Sequence, residues 1–265
     1  MPVRKRFGQH FLHDEAVLGR IVEAIDPRPG ERIVEIGPGR GALTWPLLAR
    51  AGRLEVIEID RDLAAALQAD ARGTDRLEVR VQDALRTDFA ALRGEGVKLR
   101  IVGNHPYNIS TPLMFHLLAA RTAIADMHFM LQKEVVDRIV AAPGGKDYGR
   151  LGVMLSIYAT AERLFEVGRG AFQPAPNVIS AVLRLSPEEA RYPALAAQGE
   201  AGERRLQRVV TAAFSQRRKT LRNSLRGLVE PRDMEACGID PQWRAEVLAP
   251  AQFVQLAVRA ITMDR

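Results

Sequence analysis

The chain has 265 residues, with 38 Lys or Arg against 32 Asp or Glu and a formal net charge of +6. At 47% hydrophobic and 26% charged it has the composition of a folded globular protein, which excludes wholesale disorder. A lone Cys237 excludes a disulfide framework and a thiolate-based zinc site, and the sequence holds no apolar run of about 18 residues that could span a membrane.

The basic start Arg4-Lys5-Arg6 is followed by no apolar stretch of the signal-peptide kind. The expectation is a reduced, cytoplasmic protein whose positive balance favours a polyanionic partner, with no membrane and no metal. His10 and His13 are three apart but have no acidic or thiol partner at ligand spacing.

Apolar runs at Ile33–Ile36, Leu54–Ile59, Leu77–Val81, Leu99–Val102 and Met127–Leu131 read as strands, with helical patterns such as Leu63–Ala69 between them. Strands alternating with helices predict βαβ units and a parallel sheet. Val153–Thr160 and Val178–Leu185 read as further strands at the sheet edges, one of them antiparallel. Ser186–Glu203, with Pro187, Pro193, Gly199 and Gly202, reads as a linker. Beyond it Leu206–Phe214, Thr220–Leu228 and Ala251–Ile261 have helical periodicity. The expected layout is an α/β domain over residues 1–190 and a small helical domain over 200–265. Met127, Met130 and Met154 are read as core, Trp45 and Trp243 as core or interdomain contacts.

Val34-Glu35-Ile36-Gly37-Pro38-Gly39-Arg40-Gly41 places a glycine loop directly after the first of these strands. Glycines let the backbone turn tightly and approach a ligand, and the next helix offers free N–H groups. Glu58 follows Gly37 by 21 residues and ends the second strand, where an acid can accept hydrogen bonds from a ribose diol. The loop alone fits a nicotinamide dinucleotide or S-adenosylmethionine. Asp83, after the third strand, could accept from the exocyclic amine of an adenine. Three strand ends would then face one crevice and form a nucleoside site.

The fourth strand runs into Asn104-His105-Pro106-Tyr107. An adenine N6 amine is a poor nucleophile because its lone pair is delocalised into the ring. Two acceptors at its protons, the Asn104 side-chain carbonyl and the His105 backbone carbonyl, would draw it towards a pyramidal shape. Pro106 would fix the backbone so that both converge, and Tyr107 would offer a face for a flipped base. Orientation and polarisation would then carry methyl transfer.

These segments resemble the small-subunit ribosomal RNA adenine N6,N6-dimethyltransferases (KsgA type). They are also similar to the erythromycin-resistance methyltransferases. The resemblance is carried by Phe7–Leu12, Val34–Gly41, Glu58, Asp83, Asn104–Thr111, Phe129–Val136, Tyr148–Leu151, Phe172-x-Pro174-x-Pro176 and Gln216–Leu225. It implies a Rossmann-like class I S-adenosylmethionine-dependent methyltransferase sheet with a small C-terminal all-helical domain. It implies a cofactor site at His10, Leu12, Gly37, Gly39, Glu58, Asp83 and Asn104, with Phe172 as a second aromatic wall for the target base. Phe7, Phe11 and Leu12 would form an apolar flap over the cofactor. The chain departs from the family pattern at His105 (usually Leu or Ile), Gly152 (often Ser), Asn177 and Ile179 (more usually Lys and Asp).

Between Ala201 and Arg226 lie eight basic residues and one acid, Glu203. Within that stretch Arg217, Arg218, Lys219 and Arg222 are expected to contact an RNA backbone from one end of a helix. The resemblance implies dimethylation of two adjacent adenines near the 3′ end of small-subunit (16S) ribosomal RNA, in an assembling 30S particle, by a monomer. Two alternatives stand beside it: a large-subunit RNA methyltransferase conferring macrolide resistance, and a non-enzymatic RNA-binding assembly factor.

Overall fold

The computed structural model describes residues 10–71, 74–104, 107–189 and 191–260, with backbone alone at 107 and 108. Phe7, His105, Pro106 and the Tyr107 side chain, named above, lie outside the described residues. In chain order the elements begin β1 (Phe11–Leu12), α1 (Glu15–Ile25), β2 (Arg32–Ile36), α2 (Thr44–Ala51), β3 (Leu54–Glu58), α3 (Arg61–Asp70) and β4 (Leu77–Val81). Next come α4 (Phe89–Arg93), β5 (Leu99–Gly103), α5 (Tyr107–Ala119), β6 (Ile124–Gln132), α6 (Lys133–Val140) and α7 (Arg150–Tyr158). Then follow β7 (Ala159–Val167), β8 (Phe172–Gln173) and β9 (Ser180–Pro187). The chain continues with α8 (Pro193–Ala196), α9 (Gly199–Ser215), α10 (Leu221–Ser224), α11 (Pro231–Glu235) and α12 (Pro250–Arg259).

Among the described residues one seven-stranded sheet has the order β4-β3-β2-β5-β6-β9-β7. Pairs β2–β3, β3–β4, β2–β5 and β5–β6 are parallel, and β9 runs antiparallel to β6. The five parallel strands stand where their apolar runs predict. Val34, Val56 and Ile101 have no exposed surface, as expected of parallel strands covered on both faces. The chain steps outward from β2 to β4, then returns to place β5 on the other side of β2. The strand order therefore reverses between β2 and β5, and a crevice opens there at the carboxyl ends. At the opposite end, Arg100 donates to the Ile25 carbonyl at 2.5 Å and Arg184 to the Ala24 carbonyl at 2.7 Å. Both satisfy carbonyls in the last turn of α1, which helical hydrogen bonding leaves open.

Several expectations are corrected. Val153–Tyr158 is helix, and only Ala159 onward is strand. Val153, Met154, Leu155 and Ile157 are all buried, so no strand-like alternation separates the two states. Gly152 fits this helix, because a Cβ there would lie 2.6 Å from the Arg138 carbonyl oxygen. Of the two strands expected at the sheet edges, the one at Val178–Leu185 runs antiparallel to β6, and it lies between β6 and β7 rather than at an edge. The expected linker is shorter: β9 reaches Pro187, and α8 and α9 already occupy Pro193–Ala196 and Gly199 onward. Thr220–Leu228 holds only the single turn α10.

The described chain divides into two compact units, one up to Val136 with Glu162–Pro187, the other Asp137–Ala161 with Glu188 onward. The expected division at 190–200 therefore misses a segment that crosses over. That segment packs α7 against α9 and α12. The buried Tyr148 hydroxyl donates to the Leu248 carbonyl at 2.7 Å, and burial raises its pKa. Gly144 N–H donates to the Glu246 carbonyl at 2.7 Å. None of the described helices is long and apolar enough to cross a membrane.

Candidate active site

Ile36, the last residue of β2, lies in register with Ile57 of β3 and Gly103 of β5, and Glu58 is in register with Val81 of β4. That alignment brings the glycine loop, Glu58, the Gln82-Asp83 turn and Asn104 to one end of the sheet. Gly37 and Gly39 have φ of 68° and 59°, a region that L side chains rarely enter. Gly37 N–H donates to the Ile57 carbonyl at 2.9 Å, which locks the loop onto the neighbouring strand. A Cβ on Gly41 would lie 2.8 Å from both Leu67 and Trp45, so the loop has no room for a side chain there.

Glu58 is 5% exposed. Its carboxylate accepts from Gly39 N–H at 3.2 Å and Asp60 N–H at 2.9 Å, one oxygen each. Burial raises its pKa, the two backbone amides act against that rise, and the neighbouring Asp60 charge adds to it. A carboxylate has about four acceptor sites, so each oxygen keeps capacity for a ligand hydroxyl. Asp83 is more open, with its side chain 35% exposed. It caps the short turn Ala84–Arg86 by accepting from Leu85 N–H at 2.9 Å. Asn104 follows β5 directly and is half-buried.

β1 pairs with β8, setting Leu12 opposite Phe172 and Phe11 opposite Gln173. The His10 ring nitrogen Nδ1 lies 2.8 Å from the Pro174 carbonyl oxygen. The Phe11 ring stands over the glycine loop, 3.2 Å from where a Gly39 Cβ would be, with the Arg40 guanidinium 4.4 Å from its centroid. The flap is thus partly realised: Phe11 covers the loop, whereas Leu12 is buried in the core. Phe172 is also in that core, 2% exposed. Neither face of its ring is open to a base in this conformation, so a stacking role requires the ring to move.

Three residues carry signals that the sequence reading passed over. Glu35 of β2 is buried, accepts from the Thr44 hydroxyl at 2.6 Å, and has its pKa pushed up to about 7, by burial first. Ile59 and Val81 are 54% and 48% exposed, apolar side chains beside Glu58 and Gln82-Asp83. An aliphatic residue immediately after a strand-ending acid was the available clue for Ile59.

In the helical unit, α9 stops at Ser215, and Gln216–Thr220 forms a turn before α10. The basic residues therefore lie on a turn and the following helix, not at one helix end. Arg218, Lys219, Arg222 and Arg226 are exposed. Arg217 is different, because its guanidinium donates to the backbone carbonyls of Lys146 at 3.0 Å and Tyr148 at 3.4 Å.

The family model described as "Ribosomal RNA adenine dimethylase" matches residues 2–261. The chain is 53% identical over 255 residues to "Ribosomal RNA small subunit methyltransferase A" of Pseudomonas aeruginosa, covering 96% of this chain and 93% of that one. A protein of the same name from Acinetobacter baylyi is 52% identical over 254 residues, covering 96% and 91%. Among solved structures, a dimethyladenosine transferase from Plasmodium falciparum superposes with a TM-score of 0.79 at 25% identity, over 93% of this chain and 96% of that one. The 23S rRNA methyltransferase ErmE superposes at 0.71 with 27% identity, over 96% and 100%.

Proposed function

From the premise that the chain belongs to the ribosomal RNA adenine dimethylase family, we propose that its strand-end crevice binds S-adenosylmethionine beside an adenine of small-subunit ribosomal RNA. The enzyme is an S-adenosylmethionine-dependent adenine N6-dimethyltransferase with a Rossmann-like methyltransferase sheet. The single observation that carries the site assignment is the alignment of the glycine loop, Glu58, Asp83 and Asn104 at one end of β2, β3, β4 and β5.

The residues present fit the cofactor. The glycine loop is packed tightly by Phe11, Trp45 and Leu67 and keeps its backbone turned at the strand end, Glu58 offers an oriented carboxylate to a ribose diol, and Asp83 offers an acceptor to an adenine amine. Ile59 and Val81 offer apolar surface to an adenine ring. When bound, the cofactor supplies a methyl group on a positively charged sulfur. The chain's own part is placement and polarisation. The Asn104 side-chain carbonyl accepts from one N6 proton; the other groups expected from the sequence, the His105 backbone carbonyl as second acceptor, Pro106 and the Tyr107 ring, lie outside the described residues. A backbone acceptor is available from any residue, so His105 retains the chemistry of the usual Leu. On the cofactor side Phe11 covers the glycine loop, with His10 before it and Leu12 packed in the core behind it, and a role for Phe172 as the second aromatic wall requires its ring to leave that core.

Arg218, Lys219 and Arg222 take RNA phosphates, and Arg217 holds the turn that presents them. The substrate in this reading is the 16S RNA of an assembling 30S particle, dimethylated at two adjacent adenines near its 3′ end. The enzyme works as a cytoplasmic monomer. The high identity to small-subunit methyltransferases supports this target over a large-subunit one. The test is methyl incorporation from labelled S-adenosylmethionine into unmethylated small-subunit particles, with mass spectrometry of the RNA. Two dimethyladenines are expected; label confined to large-subunit RNA, or no label, overturns the reading.

A further inference from the structure

Trp243 is the only aromatic among the exposed large apolar side chains of the described residues. The sequence reading placed it in a core or an interdomain contact, yet it is 42% exposed. Its place is fixed by backbone bonds. Leu221 N–H donates to the Trp243 carbonyl at 2.7 Å, and Arg222 N–H to the Pro241 carbonyl at 2.9 Å. Trp243 N–H in turn donates to the Asp240 carbonyl at 2.9 Å. The 240–243 turn is therefore stitched onto the start of α10, backbone against backbone, and the indole is carried on a rigid turn beside the basic run. The acid of that turn, Asp240, accepts from Gln242 N–H at 2.8 Å.

A lone exposed apolar side chain is ordinary on a protein surface. What sets this one apart is its place: the two bonds seat its turn on the start of α10, where Arg222 is exposed and exposed Lys219 precedes it, and exposed Gln242 and Arg244 flank Trp243 in the chain, with Asp240 the one exposed acid of the turn. An aromatic face set among cations suits unpaired nucleotides, because bases stack on the ring while phosphates meet the charges. An acidic protein surface would also meet these charges, but an unpaired nucleotide satisfies ring and charges together, and binding to protein-free RNA separates the two.

We propose that Trp243 stacks on an unpaired base of the ribosomal RNA, with the flanking phosphates held by Lys219 and Arg222. The proposal rests on the reading of the enzyme as acting on small-subunit RNA, and it adds a docking contact apart from the methyl-transfer residues. It places a base-reading platform on the helical unit, where a run of charges alone would bind without regard to base pairing.

The test compares full-length Trp243→Ala, Trp243→Phe and Arg222→Gln with wild type. Binding is measured to unmethylated small-subunit particles and to protein-free 16S RNA over a salt series, with a melting curve for each variant. Loss of one stacked base should weaken binding by Trp243→Ala about 5- to 150-fold on both targets. The slope of log K against log salt should stay unchanged, since no charge is lost. Trp243→Phe should recover most of the affinity, and Arg222→Gln should instead flatten the slope by about 0.7–0.9. In turnover the loss in Trp243→Ala should appear as a raised KM for the particle. Unchanged affinity, a loss that merely follows a lowered melting temperature, or no recovery by Phe overturns the proposal. So does a loss seen with particles but not with protein-free RNA, which would make Trp243 a protein contact. A wild-type enzyme that binds neither target would instead bring down the small-subunit reading itself.

Discussion

The Arg217 guanidinium donates to the backbone carbonyl of Lys146 at 3.0 Å, joining residues 71 apart in the chain. It also reaches the Tyr148 carbonyl at 3.4 Å and lies 3.9 Å from the Glu246 carboxylate. Arg217 thus ties the 146–148 segment to the α9–α10 turn, and its neighbours in sequence are left to meet a ligand. Arg217→Gln should lower the melting temperature by about 2–4 °C, for a loss of roughly 1 kcal/mol at a half-exposed site. It should leave the salt dependence of RNA binding nearly unchanged. Arg218→Gln and Lys219→Gln should do the reverse, each flattening the log–log salt slope by about 0.7–0.9 with no thermal cost. A salt titration run beside a melting curve separates the two roles. Equal slope changes for all three would return Arg217 to the RNA footprint.

Glu58 is held by two backbone amides before any ligand arrives, and Asp83 by one. Both are therefore pre-oriented acceptors. Glu58→Ala and Asp83→Ala should each weaken S-adenosylmethionine binding about 10- to 150-fold, the worth of a charge-assisted hydrogen bond. Calorimetry on the folded variants checks this. Unaltered affinity in both would remove the nucleoside assignment from this end of the sheet.

Asn104 and Phe172 should fail in different ways. Asn104→Ala should lower kcat by about 100-fold or more at saturating substrates, because its carbonyl acts on charge that develops in the transition state. Phe172→Ala should first destabilise the protein, by about 3–5 kcal/mol, because a fully buried ring leaves a cavity. Phe172→Leu keeps most of that volume and removes the aromatic face. It should fold, bind cofactor normally and still lose turnover on RNA. Wild-type kinetics in Phe172→Leu would confine Phe172 to packing.

The parallel strands and the site at their ends were legible because each signal was local. An apolar run, a glycine pattern and an acid sit together in Val34–Gly41 and Leu54–Glu58, and strand alignment did the rest. Val153–Tyr158 was not legible, because a short, mostly buried apolar run cannot be told from a strand by periodicity alone. Long-range acceptors leave no trace either: nothing near Arg217 in the sequence points to Lys146, and nothing near Trp243 reveals that the 240–243 turn bonds to α10 and leaves the indole exposed. Phe172 was assigned a face for a base, and its burial in a core cluster assembled from distant parts of the chain is what no local pattern carries.

Glu35 gives the last prediction, on stability against pH. It is buried on β2 behind the glycine loop, accepts from Thr44, and also feels the charge of Glu58. Its pKa is raised from 4.5 to about 7 in the folded chain. Below pH 4.5 both states are protonated and the carboxyl costs nothing. Between 4.5 and 7 the folded chain keeps a proton that the unfolded chain has released, so stability falls as pH rises. Above 7 the buried carboxylate costs about 3 kcal/mol. Glu35→Gln keeps an acceptor for the Thr44 hydroxyl and removes the charge, so it should stabilise the cofactor-free protein by up to about 3 kcal/mol at pH 8 and leave it nearly unchanged at pH 4.

His128 imposes the opposite slope. Burial lowers its pKa to about 4, so the unfolded chain takes up a proton first as pH falls below 6.5, and stability rises with pH across that window. This background is common to wild type and Glu35→Gln and cancels in their difference. Urea unfolding of both proteins at pH 4 and pH 8 measures that difference directly. A gain of the same size at both pH values would mean that the substitution acts through packing, and that Glu35 carries no buried charge at neutral pH.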